Sequence, residues 1–242
     1  MARKAIIKTL LWVLFIFLLI FVPASISYAE DIVKTFTGDQ FFINLYQNRM
    51  ELADNNSILL DQYRVDPWVI VDGCLLPGEK VIIVILGREG ETRGERLACY
   101  GFEGIKFQKK WIDNNRKINP WKILSCDVEG DGRLEVAVGV WKTARFHPVF
   151  DNRLFIYAWV KGMIYPKWLG SRLSSPFVDF DFQDFDRDDV QELIALEYQK
   201  NGLMRAMGYE WTGFGFIGTS ILGKDLFLKS ISEFWLEKEG YS

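Results

Sequence analysis

Two short acidic segments carry the residue types best suited to chemistry in this sequence. Each places carboxylates at positions 1, 3, 5 and 9, the first segment beginning at Asp127 and the second at Asp184. The predicted ligands are Asp127, Glu129, Asp131 and Glu135 in the first loop and Asp184, Asp186, Asp188 and Glu192 in the second, with the backbone carbonyls of Arg133 and Val190 at position 7. Carboxylates this close repel one another unless a cation lies among them, and oxygen ligands without His or Cys favour Ca²⁺. We therefore predict two structural calcium loops.

One alternative is that both segments are acidic turns whose Asp side chains cap their own backbone amides, with no ion. An EF-hand is excluded, because position 12 holds Val138 and Ala195 instead of a carboxylate. The repetition of the pattern in register favours the ion. In an earlier unit the corresponding segment, 72–79, has lost the central carboxylates, and we predict that it is metal-free.

The loops belong to a longer sequence repeat that must position them. Three units begin with Pro and an aromatic residue, at Pro67, Pro120 and Pro176, and each continues through four apolar runs separated by turn residues. Four short strands per unit are typical of a β-propeller blade. An irregular antiparallel sandwich is the alternative, but the repeat favours the propeller. The aromatic content of 15% also favours a β-rich core.

The length of the chain accommodates fewer than four units of this size. We therefore predict a composite last blade, assembled from the apolar stretches Phe41–Tyr46 and Leu226–Leu236, or else an open arc with exposed edge strands. The predicted fold class is all-β, a small or partial β-propeller of about four four-stranded antiparallel blades. It forms one domain over residues 30–242, preceded by an N-terminal signal helix.

The acidic loop followed by a strand such as Val136–Val140 resembles the integrin-type FG-GAP (VCBS-like) repeat. The resemblance covers residues 120–200 well and 65–115 and 200–220 loosely. It implies propeller blades with Ca²⁺ held by the carboxylates named above, and a role outside the cell in adhesion or recognition. Glu129 and Asp189 depart from the family pattern, and its Phe-Gly and Gly-Ala-Pro signatures are absent.

The N-terminal residues read as an export signal. Three basic residues precede the apolar run Leu10–Val22, and Ser27-Tyr28-Ala29 offers small residues at the positions that a signal peptidase reads. We predict cleavage after Ala29, so that residues 1–29 are a signal peptide and the protein is secreted or lies in the cell envelope. The alternative is a membrane anchor retained at residues 10–26.

Charge and composition exclude several partners. Cleavage would remove three basic residues from 29 and leave 32 acidic ones, a net charge near −6. Such a charge argues against nucleic acid and anionic membranes, so a membrane contact is expected only if the N-terminal segment is retained. The three cysteines, Cys74, Cys99 and Cys126, abut apolar runs and are predicted to be buried thiols, although one disulfide stays possible in an exported protein. The single histidine, His147, is predicted to be a loop residue.

The sequence therefore predicts a calcium-stabilised binding module, not an enzyme, with a protein or glycan ligand. A carbohydrate-binding protein is the second hypothesis, and it requires several Trp side chains exposed in a row. A hydrolase with paired carboxylates is the third, and its acidic residues are those already assigned to the calcium loops.

Overall fold

A computed structural model describes residues 32–113, 118–170 and 172–221. The predicted signal helix at 1–29 and the apolar stretch Leu226–Leu236 lie outside the described residues. Short turns separate sixteen strands in this part of the chain. They are β1 (Ile32–Thr37), β2 (Phe41–Tyr46), β3 (Arg49–Asp54), β4 (Leu59–Arg64), β5 (Val69–Leu76), β6 (Val81–Gly87), β7 (Gly94–Gly101), β8 (Gln108–Ile112), β9 (Pro120–Cys126), β10 (Glu135–Ala144), β11 (His147–Val160), β12 (Met163–Leu169), β13 (Phe177–Gln183), β14 (Glu192–Tyr198), β15 (Met204–Trp211) and β16 (Phe216–Ile221).

The strands form four antiparallel sheets of four consecutive strands each: sheet 1 is β1 to β4, sheet 2 is β5 to β8, sheet 3 is β9 to β12 and sheet 4 is β13 to β16. The predicted four-stranded antiparallel units are confirmed. In β2 and β3 of sheet 1 only alternate residues are buried, whereas the central parts of the middle strands of sheets 2, 3 and 4 are apolar and buried on both faces, as in β6, where every residue is buried. Such strands need a neighbouring sheet on each side, which makes stacking of the sheets obligatory.

The prediction of a composite last blade is wrong in its N-terminal part. Phe41–Tyr46 is the second strand of a complete sheet built from residues 32–64 alone. Met50 and Leu52 of β3 are buried beside Ile43 and Leu45, in a cluster that these side chains share with sheet 2. Sheet 1 was missed because its strands are short and it lacks the Pro-aromatic start.

The interpretation of segment 72–79 as an equivalent of the acidic loops is also wrong. Asp72 to Leu76 belong to strand β5, because Cys74, Leu75 and Leu76 are buried and continue the ladder with β6. The connection itself is a single turn of 3-10 helix, Pro77–Glu79. Asp72 is therefore a strand residue and not the first position of a degenerate acidic loop.

Three buried clusters join successive sheets. The first unites sheets 1 and 2 around Ile43 and Ile82, the second unites sheets 2 and 3 around Ile83 and Val138, and the third unites sheets 3 and 4 around Phe180. Over the described ranges no buried cluster contains side chains of both sheet 4 and sheet 1. The described sheets thus form a consecutive stack, as in an arc of blades.

The first strand of every sheet shifts register by one residue near its start. The residue after the shift alternates between Lys and Asp: Lys34, Asp72, Lys122 and Asp179. Lys34 Nζ lies 3.1 Å from Asp72 Oδ1, and Lys122 Nζ lies 2.9 Å from Asp179 Oδ1. The backbone N–H of Ile123 donates to Asp72 Oδ2 at 2.8 Å and links the two pairs. The four first strands therefore lie side by side with equivalent ends together.

No helix within the described ranges is long and apolar enough to cross a membrane. The three cysteines are free and buried, so the prediction of buried thiols is confirmed. Burial raises the pKa of the Cys99 thiol to about 12 and raises those of Cys74 and Cys126 as well.

Candidate metal centre

The two acidic loops have the same backbone conformation. Gly130 and Gly132 of the first loop have φ values of 66° and 78°, and the equivalent residues of the second loop, Arg187 and Asp189, have 66° and 68°. Asp is one of the few residues other than Gly that adopt left-handed backbone readily, so Asp189 preserves the turn that Gly132 makes.

Both loops are closed by the same caps. Asp127 accepts hydrogen bonds from the amides of Asp131 and Gly132, and Asp184 accepts them from Asp188 and Asp189. At the far end of the loops the amides of Val128 and Phe185 donate to Glu135 and Glu192, at 3.3 and 2.8 Å. These hydrogen bonds are those expected of acidic turns. Because both loops make them, they do not show whether the two loops differ in their affinity for a cation.

The loops contact one another across the boundary between sheets 3 and 4. The amide of Gln191 donates to the carbonyl of Asp127 at 3.0 Å, and the Asp127 amide donates to Gln191 Oε1 at 2.9 Å. A Cβ added to Gly130 would lie 2.6 Å from Val190 Cγ2, so the approach requires glycine there.

In the first loop, basic side chains neutralise the carboxylates. Lys167 of β12 places Nζ 2.6 Å from Glu135 Oε1 and 2.8 Å from Glu129 Oε2. Arg133 pairs with Asp131 in the same loop, through Nη2 and Oδ2 at 2.5 Å. The Lys167 ammonium group therefore lies between the two glutamates, where the sequence predicts a calcium ion.

The second loop lacks such a lysine. Carboxylate oxygens of Asp184, Asp186 and Asp188 all lie within 4.8 Å of one another, and among the described residues no salt bridge to this trio is found. Lys167 is the residue at the register shift between β11 and β12. The residue at the matching shift between β15 and β16 is Thr219, which is exposed and uncharged.

The pKa shifts reflect this difference. Burial raises the pKa of Glu135, and its hydrogen bond from Lys167 acts in the opposite direction. Burial also raises the pKa of Glu192, and the charges of Asp186 and Asp188 raise it further. The side-chain hydrogen bond from Arg133 lowers the pKa of Asp131. The second loop therefore holds carboxylates that repel one another, which a divalent cation would relieve.

The structure brings together Asp184, Asp186 and Asp188 as potential ligands. Glu192 lies close enough for the charges of Asp186 and Asp188 to raise its pKa. Glu129 and Glu135, by contrast, form salt bridges with Lys167. Sequence reasoning missed Lys167, although a signal existed: Lys110 lies one repeat earlier, at the same register shift of sheet 2.

The other candidate residues are structural. His147 Nδ1 lies 2.7 Å from Nη2 of Arg153, a guanidinium that is only 1% exposed. Six tryptophans considered as a sugar platform are each partly buried: Trp111, Trp121, Trp141, Trp159, Trp168 and Trp211. A pocket of about 200 Å³ is lined mainly by apolar and aromatic residues such as Leu97 and Met163, with Asp113 as its single carboxylate. It lacks the paired carboxylates that the hydrolase hypothesis needs.

No protein-family model matches the sequence, and no curated protein matches it. Two solved structures are similar in fold. Saccharomyces cerevisiae Sqt1 aligns with a TM-score of 0.52 and 10% identity, over 79% of this chain and 48% of Sqt1. A putative 6-phosphogluconolactonase from Bacteroides uniformis ATCC 8492 aligns with a TM-score of 0.51 and 8% identity, over 78% of this chain and 56% of the other.

This chain spans about half the length of those two structures. At such low identity the likeness concerns the fold alone. Together with the four antiparallel four-stranded sheets, it supports a partial β-propeller.

Proposed function

We propose that the protein is an exported, FG-GAP-like β-propeller that acts as a non-enzymatic binding module, and that its second acidic loop holds Ca²⁺. The observation that carries the calcium assignment is the convergence of Asp184, Asp186 and Asp188 within 4.8 Å. The first loop has the same backbone but uses Lys167 as its cation. The second loop has no such lysine within the described residues, and a bound cation would take the place that Lys167 has in the first.

The second loop suits a hard cation. Its ligands are carboxylate oxygens on an exposed turn, with the Val190 carbonyl available at position 7, and neither sulfur nor imidazole is near it in sequence. The ion would stabilise the turn and leave little room for a substrate, so a structural role is favoured over catalysis. Extracellular calcium modules bind with Kd of about 10⁻⁴ to 10⁻³ M.

A thermal melt of the full chain in chelator, followed by a Ca²⁺ titration, tests the assignment. Asp188→Asn keeps an oxygen that can accept the Val190 amide but removes a charge, and Asp131→Asn is the matched control in the first loop. We expect Ca²⁺ to raise the midpoints of the parent and of Asp131→Asn, and to leave Asp188→Asn unchanged. A melting midpoint of the parent that does not change with Ca²⁺ would overturn the assignment of a calcium site.

Two features support a binding module over an enzyme. The sole histidine, His147, is engaged by the buried Arg153 guanidinium, and the carboxylates of the first loop are occupied by Lys167 and Arg133. We propose a protein or glycan ligand. Binding of the purified chain to glycan and protein arrays tests this, and a reproducible hydrolytic activity abolished by Asp188→Asn would contradict it.

Export is tested separately. N-terminal sequencing of the chain recovered outside the cytoplasm should begin at Glu30 if the signal is cleaved after Ala29. Recovery of the intact N-terminus in the membrane fraction would instead establish the anchor at residues 10–26.

A further inference from the structure

The hairpin between β10 and β11 projects beyond its sheet. Pairing with β9 ends at Val140, and pairing with β12 ends at Phe155, so the residues between them pair mainly with each other. At about 3.3 Å per residue, Lys142 to Ala144 carry the turn about 10 Å past the sheet. In sheets 2 and 4 the first strand instead pairs with the second up to Gly87 and Glu197, at or next to the strand end.

This projecting tip exposes apolar side chains. Phe146, Val149 and Phe150 are 86%, 59% and 56% exposed. The next hairpin, between β14 and β15, adds three more exposed apolar residues: Tyr198, Leu203 and Met204. Exposed apolar side chains grouped in this way are typical of an interaction surface.

A buried arginine fixes the shape of the tip. Three residues of β11, from Pro148 to Phe150, lie opposite one residue of β10, so the strand bulges. Arg153 donates to the carbonyl of Val149 at 2.9 Å and to that of Lys142 at 3.3 Å. The bulge that holds Val149 and Phe150 in solvent is therefore an ordered feature of the fold.

The two hairpin tips carry basic side chains that lack an acidic partner within the described ranges. Lys142, Arg145 and Lys200 have no acidic partner among the salt bridges of the described residues. The two carboxylates of these tips are paired, Asp151 with Arg153 at 3.8 Å and Glu197 with Arg205 at 3.1 Å. The acidic loops lie at the opposite ends of β10 and β14, so the net negative charge of the chain does not describe these two tips.

The chain also enters the fold at this end. Ile32, the first described residue, pairs with Tyr46, which adjoins the hairpin of sheet 1. Five residues separate Ile32 from the apolar run 10–26, so the six steps between residues 26 and 32 reach at most about 22 Å. If that run is retained in a bilayer, the length of this linker limits how far Ile32 can lie from the membrane surface.

We infer that, when residues 10–26 are retained as an anchor, the tips of the β10–β11 and β14–β15 hairpins rest on an anionic lipid membrane. Apolar side chains of interfacial segments enter the headgroup boundary by about 5–10 Å, which matches the projection of the tip. Lys142, Arg145 and Lys200 then meet the lipid phosphates, whose negative charge attracts basic residues close to the surface.

The test uses the full chain reconstituted in phosphatidylcholine vesicles with or without phosphatidylglycerol. The fluorophore NBD is attached to the thiol of the Phe146→Cys variant and, in a matched protein, to that of Lys106→Cys, because Lys106 is an exposed residue at the opposite end. We expect emission at position 146 to shift to the blue, rise severalfold and be quenched by nitroxide lipids, while position 106 stays unchanged. Arg145→Glu should reduce the signal in anionic vesicles and leave it unaltered in neutral ones.

Equal signals at the two positions would overturn the inference, because they are expected of an anchored domain that has no preferred orientation on the membrane. A shift at position 146 that appears in detergent and grows with protein concentration would also overturn it, and would assign the surface to a second copy of the chain.

Discussion

Lys122 of β9 and Asp179 of β13 lie one repeat apart in the sequence, follow the same register shift in adjacent sheets, and form a salt bridge at 2.9 Å. Their side chains are only 23% and 14% exposed. Lys34 and Asp72 repeat the relationship between sheets 1 and 2. The alternating charges along the first strands thus help to hold the sheets of each pair at the same level.

Removal of one partner should therefore be costly. We expect Asp179→Asn to lower the free energy of unfolding by about 1–3 kcal/mol, because the Lys122 ammonium stays partly buried without its partner. The double variant Lys122→Met, Asp179→Leu should lose less than the sum of the single variants. Urea unfolding measures both. Glu95→Gln, which breaks an exposed pair with Arg88, is the control and should cost at most about 1 kcal/mol. Equal losses in both pairs would contradict the role of Lys122 and Asp179.

The lysine in the first loop leads to a second prediction. Lys167→Thr copies the residue at the equivalent position of sheet 4, Thr219, and frees Glu129 and Glu135. In chelator the variant should be less stable than the parent, because two carboxylates lose their cation. Ca²⁺ near 1 mM should then stabilise it, by about 1.4 kcal/mol for a Kd of about 10⁻⁴ M.

Calorimetric titration of Lys167→Thr should show one more calcium site than the parent. The reciprocal change, Thr219→Lys, should weaken calcium binding at the second loop. A Lys167→Thr protein that neither loses stability nor gains a calcium response would show that the lysine does not stand in for an ion.

The repeat of the strands was predictable because buried strands impose apolar runs and turns impose Gly and polar residues at a fixed spacing. The pairing of Lys167 with Glu135 was not, because a side chain on the fourth strand reaches the start of the second across the sheet. Spacing along the chain does not show which strand supplies that contact. The same holds for Lys122 and Asp179, whose period was visible but whose meeting depends on how two sheets stack.

Sheet 1 escaped prediction for another reason. Its four strands are short, and the turn between β2 and β3 consists of Gln47 and Asn48 alone. The unit is thus much shorter than the repeat that begins at Pro67, Pro120 and Pro176. A search at the longer period finds only its most apolar strand, Phe41–Tyr46, and assigns that strand to an incomplete blade.

A third prediction concerns Glu197, which is fully buried. It accepts hydrogen bonds from the Tyr209 hydroxyl, from Arg205 Nη2 at 3.1 Å and from the Ser175 amide at 3.3 Å. Tyr209→Phe removes one donor from a buried carboxylate and should destabilise the fold by about 1.5–3 kcal/mol. Tyr165→Phe, at an exposed tyrosine, is the control and should change stability by less than about 0.5 kcal/mol. Chemical denaturation of both proteins would refute the prediction if their midpoints coincide.

The buried thiols give a prediction about alkaline pH. An unfolded cysteine releases its proton near pH 9.0, whereas burial raises the pKa of Cys99 to about 12. Above about pH 9 the unfolded chain therefore binds fewer protons than the folded chain, and stability must fall as the pH rises. Each thiol should contribute a slope of about 1.4 kcal/mol per pH unit between its unfolded and folded pKa values. Denaturation curves at about pH 8 and about pH 10 measure the decline, and Cys99→Ala should make it shallower.

The native thiols should also resist a thiol reagent until denaturant is added, because Cys74, Cys99 and Cys126 are each at most 2% exposed. A stability that stays constant over this range, together with rapid labelling of the native chain, would show that these cysteines are open to solvent.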